Sequence, residues 1–211
     1  EMINEKRLRY YRLQRLRNQL VASDCTAGVF FDPINVRYAT DSRNMQVWTL
    51  RNPARYVFVA ADGPVVMFEY MRCEHLVSHL EMIDEVRPAI SWFYFAAGPK
   101  MGERAQKWAE EIADLVVSYG GENRRLAVDR LPREGALALD ALGIDVVDGQ
   151  GIAERARSVK NEDEISCLRN ALKICGGALD SVRDRLVPGT TENEAWATLN
   201  YHNAANGGEY I

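Results

Sequence analysis

Residues 30–48 read FFDPINVRYATDSRNMQVW, an apolar start followed by a polar end. The β-branched and aromatic run Gly28–Phe31 predicts a short buried strand. Asp32-Pro33 ends this strand, because proline fixes φ and lacks an N–H for the ladder. One or two helical turns are expected over residues 35–39, and the polar residues 40–44 predict a surface loop. The stretch therefore predicts strand, turn, short helix and loop in that order.

The polar loop ends in Trp48, and this tryptophan supports two interpretations. A polar loop that leads into a large aromatic residue is typical of a binding lip, since sites concentrate on loops that a rigid scaffold positions. The alternative is a plain surface loop whose tryptophan is tucked into the core, because most tryptophans are largely buried. For an isolated motif the alternative is favoured.

The composition is that of an ordinary globular protein. The chain has 211 residues, 47% of them apolar and 27% charged, with a net charge of −4. These values argue against disorder, and the length allows one large or two small domains. The sequence contains no apolar run long enough for a transmembrane helix and no visible signal peptide, so we expect a cytoplasmic protein with no membrane partner. Four scattered cysteines then predict free thiols rather than disulfides.

Outward from the opening stretch, strands and helices alternate, which predicts an α/β fold with a mixed, mostly buried sheet between helices. Two apolar strands at 56–60 and 65–69 are joined by Ala61-Asp62-Gly63-Pro64, a hairpin turn. The other predicted strands are 125–129 and 144–148, and residues 85–88 and 91–95 are both expected to be extended. The predicted helices are 5–22, 73–80, 101–119, 132–142, 162–187 and 192–206.

The first helix, Glu5 to Ala22, carries six basic residues. A helix of this kind could bind nucleic acid or an anionic membrane. The alternative is the solvated face of an amphipathic helix that packs through Tyr10, Leu13, Leu16 and Leu20. Because the whole chain is acidic, the second interpretation is favoured, and we expect no nucleic-acid partner.

Few residues suit a metal site. His75 and His79 have the i, i+4 spacing of a ligand pair on the predicted helix 73–80. No acidic residue stands in the position that a metalloprotease motif requires, so surface histidines are the favoured interpretation. Asp129 and Asp148 stand at the C-terminal ends of predicted strands, where α/β sites often lie, but caps or loop residues are the more frequent role.

The C-terminal quarter predicts two capped helices. Asn161 with Glu164, and Thr191 with Glu194, have the spacing of capping boxes. Apolar residues from Ile165 to Leu186 form one face of the first helix, for which the chain offers no cover of its own, so we expect a dimer or poorly ordered helices. The chain ends with Glu209-Tyr210-Ile211, which has the character of a strand start.

Several motifs resemble the creatinase/prolidase/aminopeptidase P family, also called the pita-bread family, and within it the dimethylsulfoniopropionate lyase branch. The resemblance rests on FDPINVRYATDSRNMQVW at 31–48, Asn52-Pro53-Ala54-Arg55, RLAVDR at 125–130, ERARSVKNEDEISCLRNA at 154–171 and the final Gly207–Ile211. It implies a creatinase/prolidase N-terminal domain of ribonuclease H-like fold over residues 1–158, followed at 159–211 by the opening helices of an incomplete pita-bread catalytic domain.

The resemblance also implies a function. Family members are metal-dependent peptidases or lyases, so it implies a divalent metal (iron, manganese or zinc) for the full-length enzyme, held by ligands beyond residue 211. For this chain we expect no metal site, no catalytic residues and no turnover on its own. In relatives this domain reaches over the partner subunit's active site. The matching positions here predict a homodimer and a substrate lip that binds a small molecule or a dipeptide through Asn44, Trp48, Arg51 and Arg55.

Arginine suits a substrate carboxylate, and tryptophan suits a sulfonium or ammonium group. The alternative is a non-catalytic protein-interaction module of the same fold. An anion-binding module that uses the first helix is the weakest of the hypotheses.

Overall fold

The computed structural model describes residues 3–209. The chain divides into two compact units. The larger unit is Arg9–Val159, and the smaller unit contains residues 3–8 together with residues 160–209. The strand start predicted at residues 209–211 falls largely outside the described part of the chain.

The larger unit is built on a six-stranded mixed sheet with the strand order β4-β3-β2-β1-β5-β6. The strands are β1 Ala27–Phe30, β2 Tyr56–Ala60, β3 Val65–Glu69, β4 Glu85–Pro88, β5 Arg125–Val128 and β6 Asp145–Asp148. β2 runs antiparallel to both β1 and β3, whereas the pairs β3–β4, β1–β5 and β5–β6 are parallel. The prediction of one mixed α/β sheet is confirmed.

The long predicted helices are present, and the short helices at 46–49 and 94–97 are additions to the prediction. The helices are α1 Glu5–Ala22, α2 Pro33–Thr40, α3 Gln46–Thr49, α4 Tyr94–Ala97, α5 Met101–Gly120, α6 Arg133–Ala141, α7 Gly149–Ser158, α8 Glu162–Arg185 and α9 Glu192–Ala205. No helix within residues 3–209 is long and apolar enough to cross a membrane.

The sheet is covered on both faces, because successive residues of a strand point to opposite sides. On β2, Tyr56, Phe58 and Ala60 belong to one core cluster, with Trp92 and the inner face of α5. Val57 and Val59 belong to the other cluster, where residues of α1, α2 and α7 pack. The continuous apolar strands therefore sit between two helical layers, as their sequences predict.

Three local predictions are wrong. Tyr10 was expected on the packed face of α1, but its side chain is 59% exposed. Residues 73–80 form only one 3₁₀ turn, Glu74–Leu76, so the two histidines are not one turn apart on an α-helix. The extended stretch predicted at 91–95 bends into α4 at Tyr94. Segments as short as 73–80 and 91–95 give a weak periodic signal, so tertiary contacts decide their conformation.

The arginines of α1 bind acceptors of the protein itself. Arg9 pairs with Asp41, Arg15 donates to the carbonyl oxygens of Arg155 and Ala156, and Arg17 donates to carbonyl oxygens of the β2–β3 hairpin. This use of the basic side chains favours the interpretation of α1 as an amphipathic packing helix.

The smaller unit is a pair of helices, α8 and α9, and both predicted capping boxes are present. The Asp163 side chain accepts hydrogen bonds from Arg7 and from the backbone N–H of Asn4, which ties the N-terminal residues to α8. His202 of α9 contacts α8, because its Nδ1 is 3.1 Å from Ser181 Oγ.

Much of the apolar surface of this unit is exposed within the chain. The exposed side chains include Ile165, Leu168, Leu172, Leu179, Leu186 and Trp196.

Candidate functional site

Buried polar side chains of the larger unit gather at one edge of the sheet, among them Asp32, Ser42, Arg55 and Glu69. β1, β3 and β5 end at this edge, and the antiparallel strand β2 begins there. In α/β folds the carboxyl ends of the strands are the usual place for a site. The loops at this edge therefore form the candidate site.

Asp129, directly after β5, joins the ends of two strands. Its carboxylate accepts hydrogen bonds from the backbone N–H groups of Phe31 and Asp32, at 2.8 and 3.0 Å, and from the Asn35 amide at 2.9 Å. Burial raises the pKa of Asp129, although these hydrogen bonds act in the opposite direction. The carboxylate satisfies backbone donors at the start of α2, which is a structural role and agrees with the cap interpretation.

Asp148, the last residue of β6, is also a cap. Its side chain accepts from the backbone N–H of Gly151 at the start of α7. Asp32 caps α2 in the same way by accepting from the N–H of Ile34, with Pro33 in the first turn. The carboxylates at this edge thus serve the N-termini of helices, where they complement the unsatisfied N–H groups and the helix dipole.

A segment that we call the lip, residues 43–54, stands on this edge and contains α3. The lip begins with unusual backbone geometry. Asp41, the C-cap of α2, has φ 65°, and Met45 has φ 42°. A left-handed conformation costs a residue such as methionine about 1–3 kcal/mol, so it persists only where the surroundings enforce it.

Both ends of the lip are bound to one buried carboxylate. Glu69, at the end of β3, accepts from the Asn44 amide at 3.1 Å and from Arg55 Nε and Nη2 at 2.9 and 2.7 Å. Arg55 Nη2 also donates to Ser42 Oγ at 3.0 Å. We call Ser42, Asn44, Arg55 and Glu69 the anchor.

The anchor corrects the prediction that residues 40–44 are all at the surface. Thr40 and Ser42 are each 1% exposed. Their hydroxyl groups bond to each other at 2.8 Å, and Thr40 Oγ1 also lies 2.7 Å from the carbonyl oxygen of Val36. Polar side chains can be buried here because the network supplies their partners.

A second set of contacts, made by Arg130, holds the middle of the lip. Arg130 donates to the carbonyl oxygen of Leu50 and forms an ion pair of 2.9 Å with Asp32. The guanidinium therefore links the lip to the α2 end of the sheet edge, using two of its donors in a fixed geometry.

The outer surface of the lip is aromatic. The Trp48 ring packs edge-on against Phe93 and Phe95, with ring centroids 6.3 and 5.5 Å apart. We call these three residues the aromatic corner. Trp48 is 36% exposed and Phe95 is 81% exposed. The structure therefore does not support the interpretation in which Trp48 is tucked into the core.

The structure places the four predicted substrate-binding residues at different depths. Trp48 and Arg51 are exposed on the lip, Asn44 is half-buried at its base, and Arg55 is only 1% exposed. Arg55 and Asn44 meet on Glu69, while Trp48 belongs to the aromatic corner. As the chain stands, Arg55 has no open path to a substrate carboxylate.

Sequence reasoning missed Glu69, Phe93 and Phe95. The hairpin register contained the signal for Glu69. Pairing of Tyr56 with Phe68 places the preceding Arg55 opposite Glu69, and opposite charges at facing positions attract. Phe93 and Phe95 were treated as part of an extended segment, and no local pattern connects them with Trp48.

Tyr70 stands between the anchor and the aromatic corner. Burial raises the pKa of its hydroxyl, and the neighbouring Trp48 side chain and the positive charge of Arg55 act in the opposite direction. Among the described residues, Nη1 of Arg55 and Oε1 of Gln46 have no hydrogen-bond partner in the protein.

The described residues do not fit a metal ion. Within residues 3–209, no group of three or more histidine, cysteine, aspartate or glutamate side chains is arranged to hold one. The carboxylates of the sheet edge are used as caps and ion-pair partners instead.

The sequence of residues 12–159 matches the family model described as the creatinase/prolidase N-terminal domain. The chain belongs to this family. The match covers most of the larger unit, including the lip, the anchor and both helical layers. The family resemblance inferred from the motifs is thereby confirmed.

Two curated relatives are dimethylsulfoniopropionate lyases named DddP. One, from Roseovarius nubinhibens, is 36% identical over 211 residues, and the other, from Roseobacter denitrificans, is 39% identical over 209 residues. The matches cover 98% and 97% of this chain but only 47% of each relative. The chain thus spans about half the length of these relatives.

Solved structures of prolidases have the same fold. The Xaa-Pro dipeptidase from Bacillus anthracis superposes with a TM-score of 0.66 at 18% identity and covers 94% of this chain and 49% of its own. The prolidase from Thermococcus sibiricus gives a TM-score of 0.69 at 16% identity, with 99% of this chain and 52% of its own covered. At these identities the similarity concerns the fold alone.

Proposed function

We propose that this chain is the N-terminal part of a metal-dependent enzyme of the pita-bread family, acting as a dimethylsulfoniopropionate lyase or as an Xaa-Pro peptidase. In this proposal the chain supplies a substrate lip and dimer contacts rather than the metal site. The observation that carries it is an exposed aromatic corner on an anchored lip, in a chain that is 36–39% identical to two dimethylsulfoniopropionate lyases.

The lip offers suitable chemistry for a small zwitterion. A sulfonium or ammonium group is attracted to the face of an exposed aromatic ring, and Trp48 is such a ring on the lip. A carboxylate at the other end of the substrate would find the exposed guanidinium of Arg51, whose planar fork matches two oxygens. Asn44 and Arg55 contribute through the anchor, at the base of the lip.

The metal of the full-length enzyme, iron, manganese or zinc, would be held by residues outside this chain. A two-metal site needs several carboxylates and usually a histidine in one cavity, and the described residues do not fit that requirement. We also propose a homodimer in the cytoplasm, with a small molecule or a dipeptide as the substrate. The boundary near residue 158 separates the lip-bearing domain from the opening helices of the catalytic domain.

A chimera tests the proposal. This chain replaces the matching first half of the Roseobacter denitrificans lyase, and the purified product is assayed for dimethyl sulfide release and for cleavage of an Xaa-Pro dipeptide. The unaltered lyase is the reference. We expect a folded, metal-loaded chimera that releases dimethyl sulfide. A folded, metal-loaded chimera with neither activity would contradict the proposal.

The second candidate is a protein-interaction module of the same fold, and one observation favours it. Phe95 and Tyr94 are 81% and 71% exposed, and Met45 of the lip is 55% exposed. Exposed apolar groups of this size often mark protein contacts. If the gene that encodes this chain lacks carboxylate and histidine ligands downstream, the interaction module becomes the better interpretation.

A further inference from the structure

The anchor holds a buried ion pair that the proposed substrate contacts do not use. Arg55 and Glu69 are 1% and 0% exposed. Each carboxylate oxygen of Glu69 is engaged: Oε2 by the Arg55 fork, and Oε1 by Asn44 and the backbone N–H of Tyr70. Both oxygens of Glu69 therefore have partners within the protein, and the buried pair offers no surface to a ligand.

Stability alone is a weak reason to bury such a pair. Taking two charges out of water costs nearly as much as their attraction returns, and apolar residues of similar volume often serve equally well. Here the arginine also leaves Nη1 without an acceptor among the described residues. A buried pair of this kind is best explained by the specific geometry that it imposes on the backbone around it.

The backbone that the buried pair holds in place is that of the lip. Asn44 stands at the start of the lip and Arg55 directly after its end, so one carboxylate fixes both ends of a loop of twelve residues. Between them, Met45 is held at a φ of 42°, a conformation that needs enforcement. α3 then carries Trp48 outward to the aromatic corner.

We propose that the Arg55–Glu69 pair, with Asn44, is a positioning element that sets the orientation of Trp48 on the lip. Arg55 then acts through the loop and does not touch the substrate. This inference deepens the proposed function and rests on it for the meaning of the lip, but its structural part can be tested on this chain alone.

The first test is hydrogen exchange measured by mass spectrometry on the 211-residue chain. The backbone N–H groups of residues 49–52 are bonded within the lip and report on its order. In Glu69→Gln, we expect these amides to exchange about tenfold faster or more, because loss of the charge leaves Arg55 buried without its partner. Amides of β1 and β2 should keep their rates. Glu122→Gln, the same change in an exposed turn, is the matched control and should alter neither set.

A second variant covers the possibility that Glu69→Gln does not fold. Arg55→Met combined with Glu69→Leu replaces both charges by apolar groups, which buried pairs often tolerate. We expect a folded protein whose lip amides still exchange about tenfold faster. Unchanged lip amides in this folded variant would overturn the inference, and so would an equal acceleration of lip and sheet amides.

A functional readout separates positioning from a merely structural role. In the chimera with the Roseobacter denitrificans lyase, the Arg55→Met/Glu69→Leu variant should lower kcat/KM, and adding Trp48→Ala should cause little further loss. Groups that act through one another are non-additive in this way. Fully additive losses would refute positioning of Trp48. An inactive parent chimera would instead count against the proposed function, while the exchange result on this chain would still decide whether the anchor orders the lip.

Discussion

Gly149, the first residue of α7, lies so close to β5 that a side chain has no room. A Cβ built on it would stand 2.6 Å from the carbonyl carbon of Val128 and 2.8 Å from the backbone nitrogen atoms of Val128 and Asp129. These neighbours are backbone atoms of a central strand, so relief requires α7 to move away from the sheet. Overpacking of this kind costs about 1–3 kcal/mol, and we take the upper end, about 3 kcal/mol.

Part of this cost is offset in the unfolded chain. Replacing glycine by alanine reduces unfolded-state entropy and returns about 0.4–1 kcal/mol. Gly149→Ala should therefore destabilise the larger unit by about 2 kcal/mol, which lowers the melting temperature by roughly 4–8 °C for a unit of this size. Thermal unfolding followed by circular dichroism measures the shift.

The matched control is Gly102→Ala in α5. A Cβ at Gly102 meets nothing within 4 Å, so this variant should be as stable as the wild type or more stable by about 0.4–1 kcal/mol. If Gly149→Ala melts at or above the wild-type temperature, the close approach of α7 to β5 is not as described, and the reasoning fails.

Three further predictions concern the core and the smaller unit. Trp108→Ala should lower the free energy of unfolding by about 3–5 kcal/mol, since the ring is fully buried against other aromatic rings. Urea unfolding measures this free energy, and a loss below about 1 kcal/mol would contradict the packing. Asn161→Ala removes one half of a capping box and should destabilise α8 by about 1 kcal/mol. Circular dichroism should show a loss of helicity, and unchanged helicity would contradict a stabilising cap. The hydrogen bond from Arg7 lowers the pKa of Asp163, so this contact stabilises the fold above the ordinary aspartate pKa of about 4 and is lost as the pH falls through the lowered value. In Arg7→Gln the pKa of Asp163, followed by NMR, should rise toward the ordinary value, and an unchanged pKa would refute the pairing.

The sheet could be predicted from sequence because its strands are short, apolar and bounded by strong turn signals. Tyr56–Ala60 and Val65–Glu69 are buried on both faces, and the turn between them contains aspartate, glycine and proline. For such runs, the composition, the periodicity and the flanking turn residues all indicate a strand. The capping boxes of α8 and α9 could be predicted equally well, since a capping box depends on residues three positions apart.

The candidate site was only partly predictable, because its contacts join distant positions. Arg55 directly follows the lip, but its burial depends on Glu69, fourteen residues away, and on the register of a hairpin. The aromatic corner requires Trp48 and Phe95 to meet across almost fifty residues of sequence. Side-chain partners at such separations are set by the tertiary fold, and local patterns carry no information about them.

The most direct test of the account is the effect of Trp48→Ala on the chimera with the Roseobacter denitrificans lyase, with metal content and kcat/KM measured on the same sample. A cation–π contact in a partly desolvated site contributes about 2 kcal/mol, so kcat/KM for dimethylsulfoniopropionate should fall about 30-fold. The metal content should equal that of the parent chimera, because the lip holds no ligand. Loss of the metal, or an unchanged kcat/KM, would contradict the account of this chain as the bearer of a substrate lip.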